Sequence, residues 1–88
     1  MYRIMIVDDE KLIRKGLRET IDWKSLGFSV EAEASNGNQA LEILASNNID
    51  VIIVDIRMPG MSGLELIEKV AKEHKDVYFV ILTGYEEL

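Results

Sequence analysis

Two four-residue runs constrain this chain more than anything else in it. They are Ile4-Met5-Ile6-Val7 and Val51-Ile52-Ile53-Val54, and each meets an aspartate at once. Runs this short, continuous and rich in branched side chains predict strands covered on both faces, which calls for a parallel sheet between helical layers. The stretches between them have helical period. Ile13, Leu17 and Ile21 recur every fourth residue after Asp9, a residue able to cap a helix. Ala40, Leu41, Ile43 and Leu44 follow the turn Ser35-Asn36-Gly37-Asn38, where either asparagine can be the cap. Leu64, Ile67, Val70 and Ala71 predict a third buried helix face, and residues 77–82 a further apolar strand. Residues 29–34 alternate Val30, Ala32 and Ala34 against Ser29, Glu31 and Glu33, which predicts an edge strand with one wetter face. Asp22-Trp23-Lys24-Ser25-Leu26-Gly27-Phe28 breaks the helical period and predicts a connection with its own apolar anchor. Strands alternating with helices, joined by right-handed crossovers, give an α/β fold: a doubly wound parallel sheet.

In open sheets of this kind, sites form beyond the carboxyl ends of the strands. Three strands here deliver polar groups to that end: Asp8 and Asp9, Asp55, and Thr83. Taken singly, each has an ordinary structural explanation as a cap, a turn former or a loop hydroxyl. Jointly they are hard to dismiss. Carboxylates gathered at one edge raise one another's pKa unless a cation sits among them. All the candidate ligands are hard oxygens, with no His or Cys beside them, so Mg²⁺ is the expected ion. Such an ion can also neutralise a phosphoryl group arriving at Asp55, where a carboxylate nucleophile would yield an aspartyl phosphate. Thr83 can then hydrogen-bond the new phosphoryl oxygens.

Composition narrows the partners. The chain has 88 residues, suited to one domain, and 10 basic against 16 acidic side chains, a formal charge of -6. That surface repels phosphate backbones, so direct nucleic-acid binding is not expected. No cysteine is present, which excludes disulfides and thiolate metal sites. The first apolar run is too short for a signal peptide or a membrane span. The expectation is one cytoplasmic domain.

The motifs also carry a family resemblance. Val7-Asp8-Asp9-Glu10 is similar to the acidic pair that closes the first strand of response-regulator receiver domains in two-component signalling. Val54-Asp55-Ile56-Arg57-Met58-Pro59-Gly60-Met61-Ser62-Gly63 resembles their phosphorylation loop, D-x-x-M-P-x-M-x-G, and Ile81-Leu82-Thr83-Gly84-Tyr85 resembles the strand and loop with their switch hydroxyl. The resemblance implies a flavodoxin-like receiver fold with strand order 2-1-3-4, residues 1–88 forming a partial receiver domain without the fifth strand. It implies Asp55 as phosphoacceptor from a histidine kinase, Asp9 and Asp55 as direct Mg²⁺ ligands, Asp8 acting mainly through water, and the Arg57 backbone carbonyl as a further ligand. It implies Thr83 as the switch residue. It implies a signalling module, no true enzyme, that controls a separate output domain. The segment 22–28 resembles receivers preceding AraC-type DNA-binding domains, so transcription is the expected output.

The family pattern continues for about thirty residues more, judged from elements of average length. It includes a fifth-strand lysine that pairs with the phosphoryl group and to which no residue here corresponds. Truncation would leave residues 77–82 as an uncovered edge, so a homo-oligomer is expected. The alternative function is therefore a truncated or engineered half-domain, a self-associating fragment without phosphotransfer. Pro59 is expected to stiffen its loop and Gly63 to supply unusual dihedrals. His74 is expected at a solvated helix end, Trp23 and Phe28 over the end of the first helix, and Tyr85 either on a signalling surface or as a half-buried aromatic. Asp55-Ile56-Arg57 lacks the second Asp of aspartate-dependent phosphatases, and no G-x-x-x-x-G-K phosphate loop occurs.

Overall fold

In the computed structural model, all residues except 75 and 84–88 are described. The elements run β1 (Tyr2–Val7), α1 (Lys11–Thr20), a single 3-10 turn (Lys24–Leu26), β2 (Phe28–Ala34), α2 (Gly37–Ser46), β3 (Val51–Asp55), α3 (Gly63–Glu73) and β4 (Tyr78–Leu82). The four strands form one sheet in the order β2-β1-β3-β4, and every pairing is parallel. This is the flavodoxin-like arrangement. The two apolar tetrads lie at its centre: Met5, Ile6, Val7, Ile52 and Val54 are all sealed from solvent, since helices cover both faces.

One face packs Met5, Val7, Ala34, Ile52 and Val54 against Ala40 and Leu44 of α2 and Leu66 and Val70 of α3. The other packs Ile4, Ile6 and Ile53 against Leu17, Trp23, Phe28, Val30 and Leu82. Helix α1, on this second face, has no fully buried residue. Its expected stripe is only partly realised: Leu17 packs on the core, Ile13 is 42% exposed, and Ile21 lies past the helix as its C-cap. Trp23 and Phe28 anchor the connection as expected. The indole donates to the Leu17 carbonyl at 2.9 Å and meets Phe28 edge-on at 6.2 Å. Gly27, at φ 90°, makes the turn into β2.

The edge strand departs from simple alternation. Ile4 pairs with Val30 but Met5 with Ala32, so Glu31 is an extra residue, a β-bulge. The bulge reverses the alternation midway. Phe28 and Val30 join the core of the α1 face, whereas Ala32 and Ala34 join that of α2 and α3. Glu33, expected on the wetter face with Glu31, instead matches Ile6 in register and meets Arg14 and Arg18 of α1.

Caps decide where two helices begin. Asn36 accepts from the Gln39 N–H at 2.8 Å and starts α2. Ser62 and Glu65 form a capping box that starts α3, satisfying two otherwise orphaned N–H groups. Asp9 caps nothing. The cap position of α1 is Glu10, without a side-chain hydrogen bond, and Asp8 instead accepts from the Glu10 N–H at 2.8 Å. Helix α3 is also rotated from its expected phase. Leu66, Val70 and Gly63 face inward, Ile67 is half-buried, Leu64 is 55% exposed and Ala71 is exposed. His74 is the C-cap of α3, in keeping with a helix-end role.

Candidate functional site

Parallel strands bring β1 and β3 to the same edge. Val7 pairs with Val54, so Asp8 and Asp55 continue from neighbouring strands at one rim. One carboxylate oxygen from each of Asp8, Asp9 and Asp55 lies within 4.8 Å of the others. Asp55 pairs in register with Leu82, and the Ile56 N–H reaches the Leu82 carbonyl at 3.3 Å. Thr83 therefore leaves β4 beside Asp55, with its side chain exposed. The Arg57 N–H donates to Asp55 Oδ1 at 3.1 Å, which turns the loop tightly around the carboxylate. Three of the five candidate residues are thus gathered as a cluster, and Arg57 and Thr83 adjoin it through chain and register. Tyr85 and the fourth-helix entry expected after Thr83 lie outside the described residues.

The three acids are held differently. Asp9 is exposed and Asp55 half-buried, whereas Asp8 is only 3% exposed. Burial is the main force pushing the Asp8 carboxyl above its ordinary pKa; the Glu10 N–H opposes it, and the charges of Asp55, Asp9 and Glu10 add to it. A buried acid crowded by like charges is a site under electrostatic load, and a divalent cation relieves that load. Two oxygens on opposite sides of an ion with bonds of about 2.1 Å stand about 4.2 Å apart, so carboxylate oxygens within 4.8 Å of one another need only small side-chain shifts to share one ion. The cluster can therefore coordinate a divalent metal.

The loop after β3 is shaped by contacts that the sequence only half discloses. Met58 is 7% exposed and belongs to the core. Gly60, at φ 77°, supplies the left-handed residue. Gly63 does not, contrary to expectation. Its role is proximity: a Cβ there would overlap the Asp55 carbonyl oxygen and stand 2.8 Å from Ile56 Cα. Its N–H donates to the Ile56 carbonyl at 2.9 Å, so α3 begins against the backbone that presents Asp55. That contact also sets the phase of α3, since the side bearing Gly63 must face the strand. One further residue escaped the sequence reading. Arg14 donates to the Asp8 carbonyl at 2.6 Å and to Glu33 at 3.1 Å. Its spacing of five from Asp9 on an amphipathic helix carried no signal that a polar face would not also carry.

Comparison with known proteins agrees with this geometry. Residues 4–88 match the model of the response regulator receiver domain. The chain is 42% identical over 87 residues to the uncharacterized transcriptional regulatory protein YesN of Bacillus subtilis, covering 99% of this chain and 24% of that protein. A two-component transcriptional regulator AraC from Clostridium phytofermentans superposes with a TM-score of 0.90 at 40% identity, covering 98% of this chain and 67% of that one. The response regulator TrrA of Thermotoga maritima, solved with Mg²⁺ and BeF, gives 0.84 at 42% identity, covering 98% and 72%. Its complex with the histidine kinase ThkA gives 0.80 at 41% identity, covering 99% and 72%. The chain spans about a quarter to a third of the first curated relatives it matches, 24% and 34% of their lengths. The cluster of Asp8, Asp9 and Asp55 is consistent with the phosphoacceptor and divalent-ion site of such domains. On sequence, fold and the make-up of its acidic rim, the chain belongs to the response regulator receiver domain family.

Proposed function

We propose that Asp55 accepts a phosphoryl group from the phosphohistidine of a histidine kinase, and that residues 1–88 belong to one receiver domain. One observation carries this reading: three carboxylate oxygens from two adjacent strands converge within 4.8 Å at the carboxyl rim. The kinase partner is supported by the likeness to TrrA, whose complex with ThkA is known. An Asp55 oxygen attacks phosphorus, a P–O bond forms, the P–N bond breaks, and the imidazole leaves with the electron pair and takes up a proton. The donor set suits Mg²⁺, which Asp9, Asp55 and the Arg57 carbonyl would hold directly, with Asp8 contributing through ordered water. When bound, it neutralises charge on the phosphoryl oxygens. The Arg57 N–H donates to Asp55 Oδ1 and so restrains the orientation of the carboxylate. The Thr83 hydroxyl donates to a phosphoryl oxygen after transfer and couples the site to β4.

The module is a switch with weak self-phosphorylation and self-dephosphorylation at most. Its output is transcriptional, through a DNA-binding domain, as the names of YesN and the Clostridium regulator suggest. The setting is the cytoplasm, where such kinases transfer their phosphoryl groups. Incubation with acetyl phosphate and Mg²⁺, read by intact mass, tests the proposal. A phosphoryl adduct is expected on the chain and none on Asp55→Ala. An adduct of equal yield on the variant refutes the assignment.

A second reading, self-association without phosphotransfer, draws on β4. Tyr78, Val80 and Ile81 are 75%, 48% and 45% exposed, and large exposed apolar side chains on a strand favour pairing between copies. It requires an oligomer at micromolar concentration in gel filtration with no mass adduct. A monomeric profile removes it.

A further inference from the structure

We infer that Arg14, held by Glu33, is a positioning residue for the acidic pair Asp8 and Asp9. The inference deepens the divalent-ion reading and rests on it. It begins at the bulge in β2. Without the extra residue at Glu31, strict alternation would turn Glu33 away from α1; with it, Glu33 matches Ile6 and faces the helix. Bulges re-aim side chains, and this one aims a carboxylate at two arginines. Arg18 donates to one Glu33 oxygen and Arg14 to the other. The Arg14 and Glu33 side chains are only 14% and 23% exposed, so the pair is better shielded from solvent than a surface ion pair.

With its Nε on Glu33, Arg14 points a second nitrogen, Nη1, at the Asp8 carbonyl, 2.6 Å away. This is a charge-assisted hydrogen bond to a backbone acceptor. The guanidinium is planar and rigid, so pinning one side to Glu33 orients the other. Asp8 is tied at two further points: its N–H donates to the Ala34 carbonyl at 3.1 Å, and its Oδ1 accepts from the Glu10 N–H at 2.8 Å. The Asp8 carbonyl belongs to the planar peptide that carries the Asp9 nitrogen. Fixing that carbonyl fixes the plane from which the exposed Asp9 side chain departs. The cap position of α1, Glu10, makes no side-chain hydrogen bond, so the Arg14 bond to the Asp8 carbonyl is the side-chain tie from α1 to this stretch of backbone. The chain of contacts runs from edge strand to helix to metal-binding rim, and outer partners of this kind tune affinity without touching the ion.

The test is Mg²⁺ titration by calorimetry on the whole chain and on Arg14→Met, Arg14→Lys and Glu33→Gln, with thermal melts in chelator. Methionine keeps the apolar stem and removes both donors; lysine reaches one partner but not both. We expect Mg²⁺ affinity to fall about tenfold for Arg14→Met and by a smaller factor for the other two. Leu17→Ala, which loosens α1 without touching the clamp, controls for general destabilisation. The clamp is supported if the Arg14 and Glu33 variants lose more affinity than Leu17→Ala at equal loss of melting temperature. It is overturned if all three bind within twofold of wild type, or if affinity follows melting temperature alike in every variant. Should Arg14→Met not fold, Arg14→Lys and Glu33→Gln decide by the same criteria. Failure of the wild type to bind Mg²⁺ is a separate result, which removes the ion site itself.

Discussion

Asp8→Asn should make the ion-free protein more stable. Asparagine keeps an oxygen able to accept the Glu10 N–H, a bond of 2.8 Å in the structure, and removes one negative charge from the rim. Charges 4.8 Å apart, the outer limit of the cluster, repel by about 3.5 kcal/mol per pair at an effective dielectric constant near 20. Asp8 faces two such neighbours. Asp9 is exposed and Asp55 half-buried, so water and salt screen most of this. Removing the burial cost of the Asp8 charge adds to the gain. A net stabilisation of about 1–2 kcal/mol remains, equivalent to roughly 5–10 °C in melting temperature for a domain of this size. The assay is thermal unfolding by circular dichroism in EDTA at neutral pH, repeated with Mg²⁺. Wild type should gain about 2.7 kcal/mol at a hundredfold excess of ion over Kd, and the variant less than half of that. A variant that melts below wild type in EDTA, or gains the full Mg²⁺ shift, refutes the electrostatic account.

Three further outcomes follow from the same geometry. The folded pKa of Asp8 is raised, so between its unfolded and folded values the folded state holds a proton that the unfolded state has released. Asp8 therefore contributes stability in acid that is lost as pH rises through its folded pKa, while Mg²⁺ affinity rises over the same window; titrations across pH 4 to 8 should move in those opposite directions. Gly63→Ala forces a methyl group against the Asp55 carbonyl, and because the obstacle is backbone the cost should reach about 3 kcal/mol, with weakened Mg²⁺ binding; an unchanged melt would show that α3 is free to shift. Leu66→Ala should cost about 2–5 kcal/mol in a denaturant melt and Leu64→Ala less than about 1, since the first is sealed and the second 55% exposed; equal costs would refute the observed phase of α3.

Much of the fold was legible because its signals are local. An apolar tetrad buried on both faces needs only its own four residues to declare itself, and the aspartate that follows must stand at the strand's carboxyl end. Two such strands side by side bring Asp8, Asp9 and Asp55 to one rim whatever the details of the helices. Caps were legible only in part: Asn36, one of the two asparagines offered, starts α2 through a side chain reaching three residues ahead, whereas Asp9 caps nothing and the Ser62 cap of α3 went unread.

What tertiary structure alone decided involves relations between distant elements. The bulge at Glu31 exists only against the register of β1, so no count along β2 could move Val30 to one face and Ala32 to the other. Gly63 is small because another segment's backbone passes within van der Waals range of it, not because its own dihedrals require it. Arg14 acquires meaning only where Glu33 and the Asp8 carbonyl come within reach of one guanidinium. Sequence periodicity measures which side chains share a face. Close approach, register and shared hydrogen bonds are set when elements pack, and there the chain's order along itself no longer predicts who touches whom.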